Sequence, residues 1–256
     1  MSPLKALLIA FLIGVGLFVV GRLGLDHKPN ENVLVNVRAK EPVQTMIADG
    51  TPEATPIKLE FEKRHYTLYP RAHYSIEGLI VSQHRSDSVF DLAHARTGDT
   101  LNSRDICTVW GRMLAGGVYR DVKFWSGDWT CYYQPKSFEA AAVFKGDQIS
   151  NTHVLATDPA VRTQLAQLET GDEYRMRGRL VDYEMEGVGR RNTSLVRTDT
   201  DNGACEVMFV ESVEILHSHN QVFGFLRDVG FWLALGGILG AVIMMLKTIF
   251  GAHRTV

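Results

Sequence analysis

The chain has 256 residues, 45% hydrophobic content and a formal net charge of −2, enough for one or two globular domains with the apolar residues gathered at its ends. Residues 26–228 hold all 29 acidic residues and 23 of the 27 basic ones, a net charge of −6. That sign argues against a phosphate-binding surface and against nucleic acid as a partner.

The N-terminal stretch MSPLKALLIAFLIGVGLFVVGRLGL carries Lys5, then an uncharged run from Ala6 to Gly21 closed by Arg22. At about 1.5 Å per helical residue it spans a hydrocarbon layer roughly 30 Å thick, with Arg22 reaching back to the surface. Residues 4–25 are therefore predicted as a transmembrane helix or signal-anchor. A cleaved secretory signal is the competing reading, although no A-x-A site follows. Residues 26–58, with Pro29, Pro42, Pro52 and Pro56, are predicted as a juxtamembrane linker containing at most a short strand at NVLVNV.

From Leu59 the pattern alternates. KLEFEKRHYTLYP and YSIEGLIVSQH predict strands, as do DICTVWG and VKFWSGDWTCYYQP, which are rich in aromatic and β-branched residues. A short helix is expected near 90–95 and another at SFEAAAVF. The clearest helix is TDPAVRTQLAQLETGD: Asp158 caps it, Pro159 occupies its first position, Val161, Leu165 and Leu168 share a face, and Gly171 ends it. EYRMRGRLVDYEME alternates as a half-exposed strand, and CEVMFVESVEIL supplies the last strand.

After a juxtamembrane segment at 218–228, residues 229–250 predict a second transmembrane helix. It is uncharged from Val229 to Leu246, with Trp232 as interfacial anchor. Gly236 and Gly240 form a small-xxx-small face suited to self-association or to pairing with the first span. Two spans put both termini on one side of the membrane. The signal-like first segment predicts cytoplasmic termini and a periplasmic central domain in a bacterial inner membrane.

GDEYRMRGRLVDYE resembles the strand signature of an oligonucleotide/oligosaccharide-binding (OB) barrel, in which a Gly-Asp turn leads into alternation and a glycine relieves crowding at a bend. YSIEGLIVS, DICTVWG, NTHVLA and RTDTDNGACEVMFVESVEIL together resemble a group of uncharacterised bacterial membrane-anchored proteins over residues 59–217. The resemblance implies a mainly β (α+β) chain: an OB-like small β-barrel domain between an N-terminal and a C-terminal transmembrane helix. It implies no reaction.

The acids of RTDTDNG raise the question of a cation loop. Asp199 and Asp201 fit the spacing of a helix-loop-helix calcium site, but Gly203 comes one residue early and Glu206 only three residues after it. The sequence therefore predicts a turn at Asp201-Asn202-Gly203, with Arg197 pairing Asp199 or Glu206. The sharper alternative is a binding surface for a carboxylate or phosphate, with Arg191 and Arg197 as clamps and Asp199, Asp201 and Glu206 at its edge. Trp110, Trp125 and Trp129 are candidate stacking platforms; core packing is the competing reading.

Cys107 and Cys131 are candidates for a cross-strand disulfide in an oxidising compartment, against free buried thiols. Cys205 paired with His153 as base would make a Cys-His hydrolase, but Glu206 beside it puts negative charge next to a thiolate. No catalytic residue, metal ligand set or cofactor motif is assigned. The expectation is a membrane-anchored binding or assembly module of the bacterial cell envelope, contacting a protein or envelope-polymer ligand. The alternative is an envelope enzyme using Asp/Glu/His acid-base residues such as Asp199, Glu206 and His153.

Overall fold

The computed structural model describes residues 2–25, 27–36, 38–86, 97–199 and 204–252. Asp201, the turn expected at 201–203 and the helix expected near 90–95 lie outside them. The chain divides into two compact units: residues 1–27 with 220–256, and residues 28–219.

The first unit is a pair of antiparallel helices, α1 (Pro3–Leu25) and α5 (Gln221–Ala252). Both are long and apolar enough to cross a membrane. α5 starts well before Val229 and takes in most of the expected juxtamembrane segment. Lipid tails give no hydrophobic drive for two apolar helices to associate, so close backbone approach has to supply the attraction. Glycines at seven-residue intervals allow it. A Cβ placed on Gly14 or Gly21 of α1, or on Gly230 or Gly237 of α5, would meet the backbone of the other helix. Gly240 lies against the side chain of Leu7, whereas Gly236 faces open space.

The second unit is mixed α+β, built on an eight-stranded sheet. Its strands are β1 (Val43–Met46), β2 (Ile57–Phe61), β3 (Arg64–Arg85), β4 (Asn102–Val109), β7 (Ile149–Leu155), β8 (Asp172–Met185), β9 (Gly189–Arg191) and β10 (Glu206–Ser218). β5 (Val122–Gly127) and β6 (Thr130–Pro135) form a separate hairpin. Short helices α2 (Arg112–Ala115) and α3 (Phe138–Val143) flank that hairpin, and α4 (Pro159–Gln167) joins β7 to β8.

Pairing runs β3–β4–β7–β10–β8 and returns to β3, with β7–β10 the parallel contact and the others antiparallel. Two glycine-tyrosine pairs face each other across β3 and β8, Tyr74 opposite Gly178 and Tyr174 opposite Gly78. A Cβ on Gly178 would collide with the Phe209 carbonyl, and one on Gly78 with the Val109 carbonyl.

Three local expectations differ from the structure. KLEFEKRHYTLYP is a hairpin, with Glu62 and Lys63 at positive φ between β2 and β3. NVLVNV gives a 3₁₀ turn at Glu31–Val33 in place of a strand, and β1 lies further along the expected linker, paired with β3. α4 follows the sequence reading: the Asp158 carboxylate accepts from the Ala160 and Val161 amides, Val161 and Leu165 are buried, and Gly171 takes φ +92°.

β4, β7 and the first five residues of β10, Glu206–Val210, are buried on both faces. One cluster contains Ile106, Val154 and Met208; a second, around Tyr66, Leu68 and Tyr183, contains Leu155 and Val207. Consecutive residues on these strands thus serve opposite faces, and every residue of β4 is buried.

Candidate functional site

Polar residues on a strand buried on both faces must find partners, because desolvation without a hydrogen bond is costly. β4 contributes Asp105 and Cys107, and β7 contributes Asn151 and His153. The register sets Asp105 opposite His153 and Cys107 opposite Asn151. On the other side of β7, Val207 of β10 lies opposite His153 and Glu206 opposite Thr152, which brings Cys205 level with Asn151. Strand alternation puts Asp105, Cys107, Asn151, His153 and Cys205 on one face, and Ser150, Thr152 and Glu206 on the other.

On the first face, His153 Nδ1 lies 2.6 Å from Asp105 Oδ1, and both side chains are buried. Asn102 Nδ2 donates to the same carboxylate oxygen at 3.1 Å. The Cys205 thiol is directed at the Trp129 carbonyl, with Sγ 3.8 Å from that oxygen. Asn151 Nδ2 donates to Cys205 Sγ at 3.2 Å and to the Trp129 carbonyl at 3.0 Å. Arg191 Nη1 stands 3.2 Å from His153 Nε2, and its guanidinium lies over the Trp129 ring at 5.6 Å.

Burial by itself pushes the His153 pKa down, and the Arg191 cation does the same. The charge of Asp105 and its hydrogen bond outweigh both and raise it to about 9. The Arg191 contact suits a neutral ring accepting at Nε2, and protonating the ring would set two donors against each other there.

On the opposite face Arg197 makes a different cluster. Its Nη1 donates to Glu206 Oε1, its Nη2 donates to the Tyr74 hydroxyl at 2.6 Å, and its guanidinium lies over the Tyr74 and Trp110 rings. Ser150 Oγ donates to Glu206 Oε2 at 2.6 Å. Burial pushes the Glu206 carboxyl up, while Arg197 and Ser150 pull it back. Asp199 accepts from Ser194 Oγ at 2.5 Å. The expected arginine clamp is therefore divided: Arg191 serves the histidine and Arg197 closes an interior ion pair. Glu206 and Trp110 are buried and present no surface to a ligand.

Cys107 and Cys131 form a disulfide with Cα atoms 5.7 Å apart, tying the β5–β6 hairpin to β4. Trp129 sits in the two-residue turn of that hairpin at φ +60°. Such turns favour Asn or Gly, so a tryptophan there is a backbone outlier. On the hairpin, the Trp125 and Tyr132 rings stack at 5.4 Å and remain 41% and 45% exposed. Lys123 Nζ lies 5.4 Å from the Trp125 ring centre, and Phe138 on α3 is 93% exposed.

A separate cleft of about 500 Å³ is lined by Arg71, Asp182, Arg190, Asn192, Thr193 and Leu195. Its carboxylate is engaged by both arginines and by the Thr193 amide. Among the described residues no group of three or more His, Cys, Asp or Glu side chains is placed to hold a metal ion.

Sequence reasoning considered His153 and Cys205 but not Asp105 or Asn151. The available signal was polar residues two apart, Asp105 with Cys107 and Asn151 with His153, in strands otherwise reading as core. No family model, curated protein or solved structure matches the chain.

Proposed function

We propose that the chain is a two-span protein of the bacterial inner membrane whose β-rich unit is an OB-like barrel in the periplasm. In this reading it is a binding or assembly module of the cell envelope, and it resembles the bacterial membrane-anchored group named above. The observation that carries the reading is the exposed aromatic face of the β5–β6 hairpin, where Trp125 and Tyr132 stack beside Lys123. Stacked rings left in water are a platform for a protein side chain or a sugar ring, and they gain by being covered.

Three further features support it. The circuit of five strands with one parallel contact, β7–β10, and a helix between β7 and β8 has the order of a small Greek-key barrel. The Cys107–Cys131 disulfide suits an oxidising compartment. The helix pair α1 and α5 provides a membrane tether at both ends of the domain.

The test is crosslinking in intact membranes, followed by purification of the full-length protein and mass spectrometry of what is bound. A stoichiometric envelope protein or polymer, lost in Trp125→Ala/Tyr132→Ala, supports the reading. Recovery of the chain alone, or a partner indifferent to those two rings, overturns it. A reporter fused after Val256 and active only outside the cytoplasm would overturn the orientation.

A further inference from the structure

The cleft of about 500 Å³ lined by Arg71, Asp182, Arg190, Asn192, Thr193 and Leu195 shares no residue with the β5–β6 hairpin. We propose that it is a binding site for a small aliphatic acid, whose carboxylate is taken up by Arg71 with Arg190 beside it. The inference does not depend on the binding reading.

The site begins with an irregularity in β3. Pro70 lies opposite Val181 and Ala72 opposite Leu180, so Arg71 is an extra residue in the pairing with β8. A bulge of this kind re-aims the side chain it adds, and here Arg71 reaches the buried carboxylate of Asp182. Arg190 comes to the same carboxylate from β9, the strand paired with β8 at Tyr183–Met185.

The two arginines are held differently. Arg190 Nη2 donates to Asp182 Oδ2 at 2.9 Å, its Nε donates to Asn192 Oδ1 at 3.1 Å, and its guanidinium lies over the Tyr69 ring. Asp182 Oδ1 is taken by the Thr193 amide at 3.0 Å. Arg71 Nε stands 3.5 Å from Asp182 Oδ2, and its guanidinium makes no hydrogen bond among the described residues. That side chain is 44% exposed, which leaves its Nη1 and Nη2 donors for a group from outside. The complement of a guanidinium fork is a carboxylate, which accepts two parallel N–H bonds.

Charge selects a carboxylate over a phosphate. Two guanidiniums and one carboxylate line the cleft, a net charge of +1, within a stretch of chain that carries −6. One negative charge is balanced there, whereas a phosphate dianion meets the field of the surrounding acids. Leu195 gives an aliphatic body an apolar wall, and the volume lies in the range of small-molecule sites. Glu184, opposite Arg190 on β8, does not compete: its carboxylate accepts from the Tyr69 hydroxyl at 3.2 Å, and it lines a different cleft.

The test is protection of arginines from phenylglyoxal in full-length protein in detergent, read for each peptide by mass spectrometry. The probes are isocaproate, the uncharged isocaproamide and inorganic phosphate, with Arg177, exposed on β8, as internal reference. Saturating isocaproate should slow modification of Arg71 about fivefold and leave Arg177 unchanged, and isocaproamide should protect neither. Arg71→Lys keeps the charge but loses the fork, so it should raise about fivefold the isocaproate needed to half-protect Arg190. Equal protection of Arg71 and Arg177, or equal protection by acid and amide, overturns the proposal. So does an Arg71 that isocaproate leaves unprotected, which would make Arg71, Asp182 and Arg190 a structural tie between β3 and β9; that comparison needs no variant. Stronger protection by phosphate than by isocaproate overturns the carboxylate assignment.

Discussion

Arg197 and Glu206, nine residues apart, form an ion pair inside the β-rich unit, with Arg197 also lying over the ring of the buried Trp110. Removing one partner of a buried pair leaves a desolvated charge without compensation, which costs roughly 3–5 kcal/mol. Arg197→Ala is therefore expected to lower stability by roughly 3 kcal/mol in urea titrations followed by tryptophan fluorescence. Replacing both partners with apolar residues, Arg197→Met with Glu206→Leu, should recover most of that loss. A cost below about 1 kcal/mol for the single change would mean that water screens the pair.

Two buried groups set a pH profile for stability. Asp172 is pushed from 3.8 up to about 6, chiefly by burial and against the hydrogen bonds from Ser218 and the Glu169 amide. His153 is raised from 6.5 to about 9 because Asp105 outweighs burial. In each case the folded chain binds more protons than the unfolded chain between the two values, so stability falls as pH rises through that window. Asp172 gives a loss between about pH 4 and 6, and His153 a second between about pH 6.5 and 9. Melting temperatures of the full chain should show both declines. Asp172→Asn should flatten the first and His153→Gln the second, whatever either does to absolute stability.

The helix pair makes a positional prediction. Gly14 and Gly237 each face the backbone of the opposite helix, whereas Gly16 and Gly236 face open space. Gly14→Leu or Gly237→Leu should force α1 and α5 apart, at an overpacking cost of roughly 1–3 kcal/mol. Gly16→Leu should leave the pair intact. Crosslinking yield between single cysteines introduced on facing turns of α1 and α5 measures the separation. Equal yields in Gly14→Leu and Gly16→Leu would contradict the packing.

What the sequence disclosed follows from how local each signal was. Asp158 and Pro159 act within one helical turn, and the start of α4 was readable, whereas its end falls at Gln167, short of the Gly171 expected to stop it. Crowding was expected at Gly178, but its source, the Phe209 carbonyl, comes from another strand. The turns at Glu62-Lys63 and Asp128-Trp129 were harder to see because neither contains the Gly or Asn such turns prefer. The Asp105, His153 and Cys205 cluster depends on β7 lying between β4 and β10. Period-two alternation says which residues share a strand face but not which strands are neighbours. The same gap explains why Glu206 seemed to threaten Cys205: adjacent in the chain, the two point to opposite faces.

The three tryptophans of the β-rich unit should separate fold from binding. Trp110 is buried beneath Arg197, so Trp110→Ala opens a cavity and should cost roughly 3–5 kcal/mol. Trp125 is 41% exposed and contacts Tyr132 on its own hairpin, so Trp125→Ala should cost below about 1 kcal/mol, the value of one aromatic pair. Trp129 combines strain with contact. Trp129→Gly relieves the positive φ, worth about 1 kcal/mol, but removes the ring beneath Arg191. Thermal unfolding and ligand capture measured on the same three variants decide the matter. Trp125→Ala should keep its melting temperature and lose the envelope ligand, while Trp110→Ala should lose its melting temperature first. If Trp125→Ala keeps both, the hairpin face is not the binding surface.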